Sequence, residues 1–289
     1  SALPVISNPI EDTFYYLKNF QHVLAWIKSR YDDVLSLDER VFIEHFLLLP
    51  SGSQALWVRL VMRKGQHFRA SKLSYPEIGD IERAAAPLLE LGWIDEHAAL
   101  SIAEVFDVLQ KTEIQHAFSA HITHPNAKKA DLLAALSQAL THIQSLSMWC
   151  PSLQDTLYTL TNRPLSDRLR LMFFGNLSQD WSDLVLADLG LFTYETVAFS
   201  PDSRALRCRA DIEGYLHLHA CREQLEAPGD LEQVLAQLLE YQPQSRWLQR
   251  RRSRLLFQLG QHHERACDYA RALQIYPHSQ HPQARGRTV

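Results

Sequence analysis

Between Leu17 and Leu49 the apolar side chains recur three and four residues apart. That spacing gathers them on one face of a helix and does not alternate them across a strand. Leu17, Phe20, Val23, Leu24 and Ile27 form one stripe, and Leu37, Val41, Phe42, His45, Phe46 and Leu49 form a second, with a break near residues 31–36. Phe14, Tyr15, Tyr16, Trp26 and Tyr31 make the wider segment from Glu11 to Leu49 unusually aromatic. Pro50-Ser51-Gly52-Ser53 reads as a turn, followed by a third helix. Tyr75-Pro76-Glu77 breaks the chain again. A helix is predicted over 77–91, ending at Gly92, and Trp93-Ile94 begins a short strand or wing. Residues 11–97 are therefore expected to form one small helical domain. Ten glycines in 289 residues, together with 46% apolar content, extend the expectation to a mostly α protein with a substantial core.

Residues 101–145 read as a separate unit. Val105, Phe106, Val108 and Leu109 lie on one helix, and residues 113–118 on a second. His121 to Asn126 is expected to be extended, because Pro125 biases the preceding residue away from helix. Lys128 and Lys129 then open another helix. A helix, an extended crossing and a second helix opened by lysines resemble a SAP module, which binds nucleic-acid duplex. Asn126-Ala127 departs from the Gly-containing turn usual there, and a generic helical hairpin is the plain alternative. A helix N-terminus offers unpaired N–H groups to a phosphate, and two lysines add full charges. Trp149-Cys150-Pro151 reads as a linker. Residues 165–277 are predicted to be helical, with a minor β-hairpin from Thr193–Phe199 and Ala205–Arg209 around a Ser200–Ser203 turn. Gly260, Tyr269, Ala272, Leu273 and Pro277 fit the second half of a tetratricopeptide unit. Residues 278–289 read as a polar tail.

Charge is the strongest functional signal. Trp57 to Tyr75 holds Arg59, Arg63, Lys64, Arg69 and Lys72 and no acid, whereas Glu77 to Glu113 holds nine acids and two bases, in a chain of net charge −4. Concentrated basic charge attracts a polyanion even where the overall charge would repel one. These five residues, with Lys128 and Lys129, are the candidate phosphate contacts. Contacts of that kind position a protein on nucleic acid without reading its sequence. A solvated helix face is the plain alternative. A further cluster, Arg246, Arg250, Arg251, Arg252 and Arg254, fits either phosphates or an acidic protein partner. On the second reading the chain is a helical-repeat interaction scaffold.

Other chemistries find no support. Cys150, Cys208, Cys221 and Cys267 are scattered, without the paired spacing of zinc or iron–sulfur ligands. His217 and His219 diverge on a helix, and His262, His263 and Glu264 are adjacent and cannot converge on one ion. No Walker loop, G-x-S-x-G or H-E-x-x-H is present, and no E-x-K or D-x-K follows Pro201-Asp202. No catalytic or metal residue is assigned. With no apolar run near the ~18 residues of a membrane span and no signal-peptide pattern, a cytoplasmic protein is expected.

The strings FYYLKNFQHVLAWIKSRYDDVL and LWVRLVMRKGQHFRASKLSYPEIGDI resemble the N-terminal region of the Fanconi-associated nucleases, and of a bacterial member in particular. The resemblance is strong over Phe14–Gly92 and looser beyond. It implies a structure-specific DNA nuclease of interstrand cross-link repair, which cuts 5′ flaps and degrades DNA from 5′ ends. The implied partners are branched or flap duplex DNA and, in cis, a VRR-NUC nuclease domain that uses Mg²⁺ or Mn²⁺. That domain and its metal-binding acids and lysine lie outside these residues, so no cofactor is expected in this chain. The resemblance implies a DNA-binding and scaffold half, associated with the bacterial nucleoid during repair.

Overall fold

The computed structural model describes residues 13–183, 204, 206–227 and 229–287. It is mostly helical and forms two units. The first holds residues 13–28, 36–169 and 179–183; the second holds 29–35, 170–178 and the described residues from 204 onward.

The first unit opens with α1 (Tyr15–Arg30), α2 (Leu37–Leu48) and α3 (Ser51–Met62). The predicted stripe of α1 is the buried one: Leu17, Phe20, Val23, Leu24 and Ile27 all face inward. On α2 only Phe42 and Phe46 of the predicted stripe, with Ile43, are buried; Leu37 and Val41 face solvent. Ser36 and Glu39 cap α2 reciprocally, and the fully buried Glu39 carboxylate also accepts from Arg168 Nε at 2.6 Å. The predicted turn at Pro50–Ser53 is instead the first turn of α3, entered directly from α2. Pro50 takes the N-cap position, where its missing N–H costs nothing. Buried Gln54 fixes the corner by donating to the Leu49 carbonyl at 2.9 Å.

α4 (Ile81–Glu90) begins later than the sequence predicts, because Asp80 caps it by accepting from the Arg83 N–H. Gly92, at φ +74°, lies just beyond its end. The wing at Trp93-Ile94 is a strand, β2 (Ile94–Asp95). It joins β1 (His67–Arg69) and β3 (Leu157–Leu160) in an antiparallel sheet of order β1-β3-β2, with His67 opposite Thr159 and Ile94 opposite Leu160. Neither β1 nor β3 was expected. Three residues are too few to show a period, and all four of β3 are buried, so nothing alternates.

The SAP-like unit comprises α5 (Ile102–Val108), α6 (Lys111–Ala117), α7 (Lys129–Ser137) and α8 (Leu146–Trp149) around Val105, Phe106, Ile114, Phe118, Leu132 and Trp149. The crossing at 121–126 is not extended as predicted. His121 and Ile122 both donate to the Phe118 carbonyl, closing a turn behind α6. The stretch after Cys150 is not a linker either, because it leads into β3, the central strand.

In the second unit, α10 (Arg209–Glu226), α11 (Leu231–Glu240) and α12 (Arg246–Arg265) pack together, and α13 (Tyr269–Ile275) returns along α12. The end of α9 (Arg163–Phe174) belongs here, and a last short helix, α14 (Pro282–Arg285), follows. Gly260 lets α12 meet the Tyr276 ring, since a Cβ there would stand 2.5 Å from it. Of the tetratricopeptide positions, Ala272 is buried, whereas Tyr269 and Leu273 are more than half exposed. The first strand and the turn of the predicted hairpin lie outside the described residues; of its second strand, Leu206, Arg207 and Cys208 form no strand and Arg209 opens α10. Among the described residues, no helix is long and apolar enough to cross a membrane.

Arg69 ties β1 to the SAP-like unit. Its Nη1 and Nη2 donate to the two Glu113 oxygens at 2.6 and 2.8 Å, and its Nε donates to Asp155 Oδ2 at 2.8 Å. Hydrogen bonds from Arg69 hold the Glu113 carboxyl below the usual carboxylate range. For Asp155, burial opposes ionisation, but hydrogen bonds from Ser71 and Arg69 outweigh it and its pKa also falls. Groups depressed in this way stabilise the fold above their ordinary pKa of about 4 and lose that contribution as pH falls through the lower, folded value. Arg69→Met is expected to cost about 3 kcal/mol in denaturant unfolding at pH 7, because it strands two largely buried carboxylates. Its melting temperature should fall less steeply than that of wild type as the pH drops below about 4.

Candidate nucleic-acid interface

The basic segment starts on α3, whose inward side is apolar: Ala55, Leu56, Trp57, Val58, Leu60 and Val61 are all buried. The helix therefore has only one face left for charge. Arg59 lies on that face but is spent locally. Its guanidinium stands 4.1 Å from the Tyr16 ring and 4.9 Å from the Tyr75 ring, and donates to Glu77 Oε1 at 2.7 Å from Nη2 and 3.2 Å from Nε. Tyr16 is itself buried, and its hydroxyl, raised by that burial, donates to the same Glu77 oxygen at 2.9 Å. Tyr16 is thus a core residue and a platform for Arg59.

Arg63 and Lys64 follow the end of α3 and are exposed. Arg63 is the C-cap, its N–H bonded to the Leu60 carbonyl, and its guanidinium lies 5.2 Å from the Phe68 ring. Gly65, at φ +90°, turns the chain into β1. Lys72 is exposed on the 3-10 turn Ala70–Lys72, close enough to Glu113 to help lower its pKa. Arg69 is engaged by Glu113 and Asp155. In the SAP-like unit, Lys128 stands exposed at the N-cap of α7 with no side-chain cap, whereas Lys129 Nζ donates to the Leu109 carbonyl at the end of α5, 2.8 Å away.

Of the seven candidates, four are therefore exposed and unpaired by acids among the described residues: Arg63, Lys64, Lys72 and Lys128. Arg59, Arg69 and Lys129 hold neighbouring structure in place. The C-terminal arginines divide similarly. Arg246, Arg250 and Arg254 are exposed along α12, Arg251 stacks over Tyr215 and Trp247 at 4.4 and 5.0 Å, and Arg252 donates to the Leu238 carbonyl. Among the described residues no three His, Cys, Asp or Glu side chains are placed to hold a metal ion.

Sequence reasoning missed Asn162 and Arg163. The Trp57 indole donates to Asn162 Oδ1 at 2.9 Å, and Arg163 donates to the Arg63 and Gly65 carbonyls at 3.0 and 2.7 Å. Asn162-Arg163-Pro164 reads only as a break, and nothing local reports a partner a hundred residues away.

An aromatic three-helix block with a short wing, joined to a compact helical module that presents lysine at a helix start, defines a helix-turn-helix domain followed by a SAP domain. Residues 14–95 match the family described as FAN1, HTH domain, and residues 99–149 match the Fanconi anemia-associated nuclease SAP domain. The Fanconi-associated nuclease 1 homolog of Pseudomonas aeruginosa is 47% identical over 289 residues, all of this chain and 52% of the relative. The Arabidopsis thaliana homolog is 30% identical over 199 residues, 65% of this chain and 22% of the relative. A solved structure described as paFAN1 bound to 2nt 5′flap DNA with gap superposes with a TM-score of 0.89 at 47% identity, covering 99% of this chain and 52% of that one. The chain belongs to the Fanconi-associated nuclease family, and it spans about half the length of the Pseudomonas relative.

Gly65 has no atom within 4 Å of where a Cβ would stand, so a side chain there meets backbone strain and not a clash. Gly65→Ala is expected to cost about 1–2 kcal/mol in equilibrium unfolding, since L-residues resist positive φ. Gly65→Asn should cost less.

Proposed function

We propose that this chain is the DNA-gripping and scaffold portion of a structure-specific nuclease, and that it holds branched or 5′-flap duplex DNA through its phosphates. The single observation that carries this reading is the placement of Arg63 and Lys64. They are adjacent exposed cations on the turn that ends α3, beside two arginines whose charges are already paired. The solved relative described with 5′-flap DNA, superposing over nearly all of this chain, supports it.

In this proposal residues 11–97 and 101–145 are the two DNA-binding regions, residues 165–277 are a helical linker and tetratricopeptide-like region, and 278–289 form a tail. Arg63, Lys64 and Lys72 contact phosphates from the first region and Lys128 from the second. Arg59, Arg69 and Lys129 serve the interface indirectly, by fixing the elements that carry those four. Exposed cations pair with phosphates by releasing condensed counterions, a contribution indifferent to base sequence. The whole protein would cut 5′ flaps and degrade DNA from 5′ ends in interstrand cross-link repair. The divalent metal of that reaction is not fitted by any cluster among the residues described here.

Four phosphate contacts imply a slope of about −3.6 in a plot of log affinity against log salt. Replacing Arg63 and Lys64 together with alanine is expected to bring the slope about two units closer to zero and to weaken binding equally on unrelated sequences. Fluorescence anisotropy with a labelled 5′-flap duplex, from low to moderate salt, measures both. A slope near zero for the wild-type chain would refute the DNA reading in favour of a protein-binding scaffold.

A further inference from the structure

The turn that carries Arg63 and Lys64 is held from outside. Arg163, the first residue of α9, donates from Nη2 to the Arg63 carbonyl at 3.0 Å and the Gly65 carbonyl at 2.7 Å, and from Nη1 to the Val61 carbonyl at 3.3 Å. Three alternate carbonyls of one five-residue stretch thus converge on one guanidinium. The residue before it, Asn162, accepts the Trp57 indole N–H, so the root of the clamp is fixed on the buried side of α3. On the far side the turn is pinned to the sheet, where Leu160 N–H donates to the Gln66 carbonyl at 2.8 Å. Between those anchors the chain passes through Gly65 at φ +90°, which has no side chain to brace it.

The last carbonyls of a helix lack intrahelical partners, and a cation there satisfies them and complements the helix dipole. Arg163 does this from a residue distant in sequence, at the point where the exposed cations emerge. A planar fork can serve several carbonyls at fixed angles in a way that a lysine point charge cannot. We infer that Arg163 is the positioning residue of the phosphate-binding turn. By fixing the backbone of Val61–Gly65, it directs Arg63 and Lys64 toward DNA together before DNA arrives. The inference rests on the phosphate reading of Arg63 and Lys64. Ordering a flexible turn at the moment of binding would otherwise be subtracted from affinity.

The test is a double-mutant cycle on the full 289-residue chain, with a fluorescein-labelled 5′-flap duplex as probe and a thermal melt to establish folding. Arg163→Ala is expected to weaken binding roughly fivefold or more, as for residues coupled within one network. Its salt slope should lie about one unit closer to zero, because the two cations no longer engage together. In a chain already carrying Arg63→Ala and Lys64→Ala, Arg163→Ala should add almost nothing. An equal loss in both backgrounds would make Arg163 a direct phosphate contact and overturn the inference. So would a lowered melting temperature with affinity and slope unchanged, which is the signature of a purely structural role. Arg163→Lys keeps the charge and covers the case in which the alanine variant does not fold. It should bind more weakly than wild type with a reduced slope, and wild-type behaviour would also overturn the inference. A wild-type slope near zero is a different result, which removes the DNA reading itself and the clamp's role with it.

Discussion

Trp57 is the hinge of the first unit's architecture. Its indole is fully buried, with the rings of Phe20, Phe42, Phe46 and Trp93 centred 4.9–6.3 Å away, mostly tilted or edge-on. Those rings come from α1, α2 and the turn between α4 and β2, so one side chain gathers the whole aromatic block. A large ring removes 150–250 Å² of surface from water, and aromatic pairs in such geometries add a further increment. The indole N–H would be costly to bury unpaired, and Asn162 accepts it. The same contact that completes the core therefore brings Asn162-Arg163 to the end of α3. The basic turn is a consequence of the core: with one side of α3 committed to Trp57, the other must carry charge, and the helix must end where Arg163 caps it.

The second organising feature is a division of labour among cations. The segment from Trp57 to Tyr75 is dense in bases because two tasks overlap there. Arg59 and Arg69 join elements: Arg59 binds α3 to Tyr16, Tyr75 and Glu77, and Arg69 binds β1 to α6 and the approach to β3. Two of their three acids, Glu77 and Glu113, are among the nine of the segment that follows. Removing those pairs from the count leaves a smaller but more exposed set facing outward. A largely buried arginine held by two carboxylates contributes little field at the surface, whereas an exposed lysine contributes all of its charge to a passing polyanion.

Much of this was legible in the residues. The helical spacing of Leu17 to Ile27 marks the buried face of α1, because a period of three to four has one structural meaning over that length. The helical content expected over 165–277 is also found, and at the start of α11 Asp230 accepts from the Glu232 and Gln233 N–H groups. The strings shared with the Fanconi-associated nucleases were readable for the same reason, since ring positions and the basic run are local text. The sheet was not legible. β1 and β3 lie about ninety residues apart and are three and four residues long, so neither has a pattern of its own until the other is present.

What the sequence alone determined is where apolar faces and charge concentrate. Both are properties of neighbours along the chain, and both survive whatever the distant contacts turn out to be. What only the tertiary structure decided is which charges are spent. Arg59 and Arg63 are four residues apart with the same chemistry, yet Glu77 stands beside one and solvent beside the other. No local rule separates them, because an ion pair depends on distance in space and is blind to distance along the chain. The same holds for Arg163, whose role exists only because folding places it against carbonyls a hundred residues earlier.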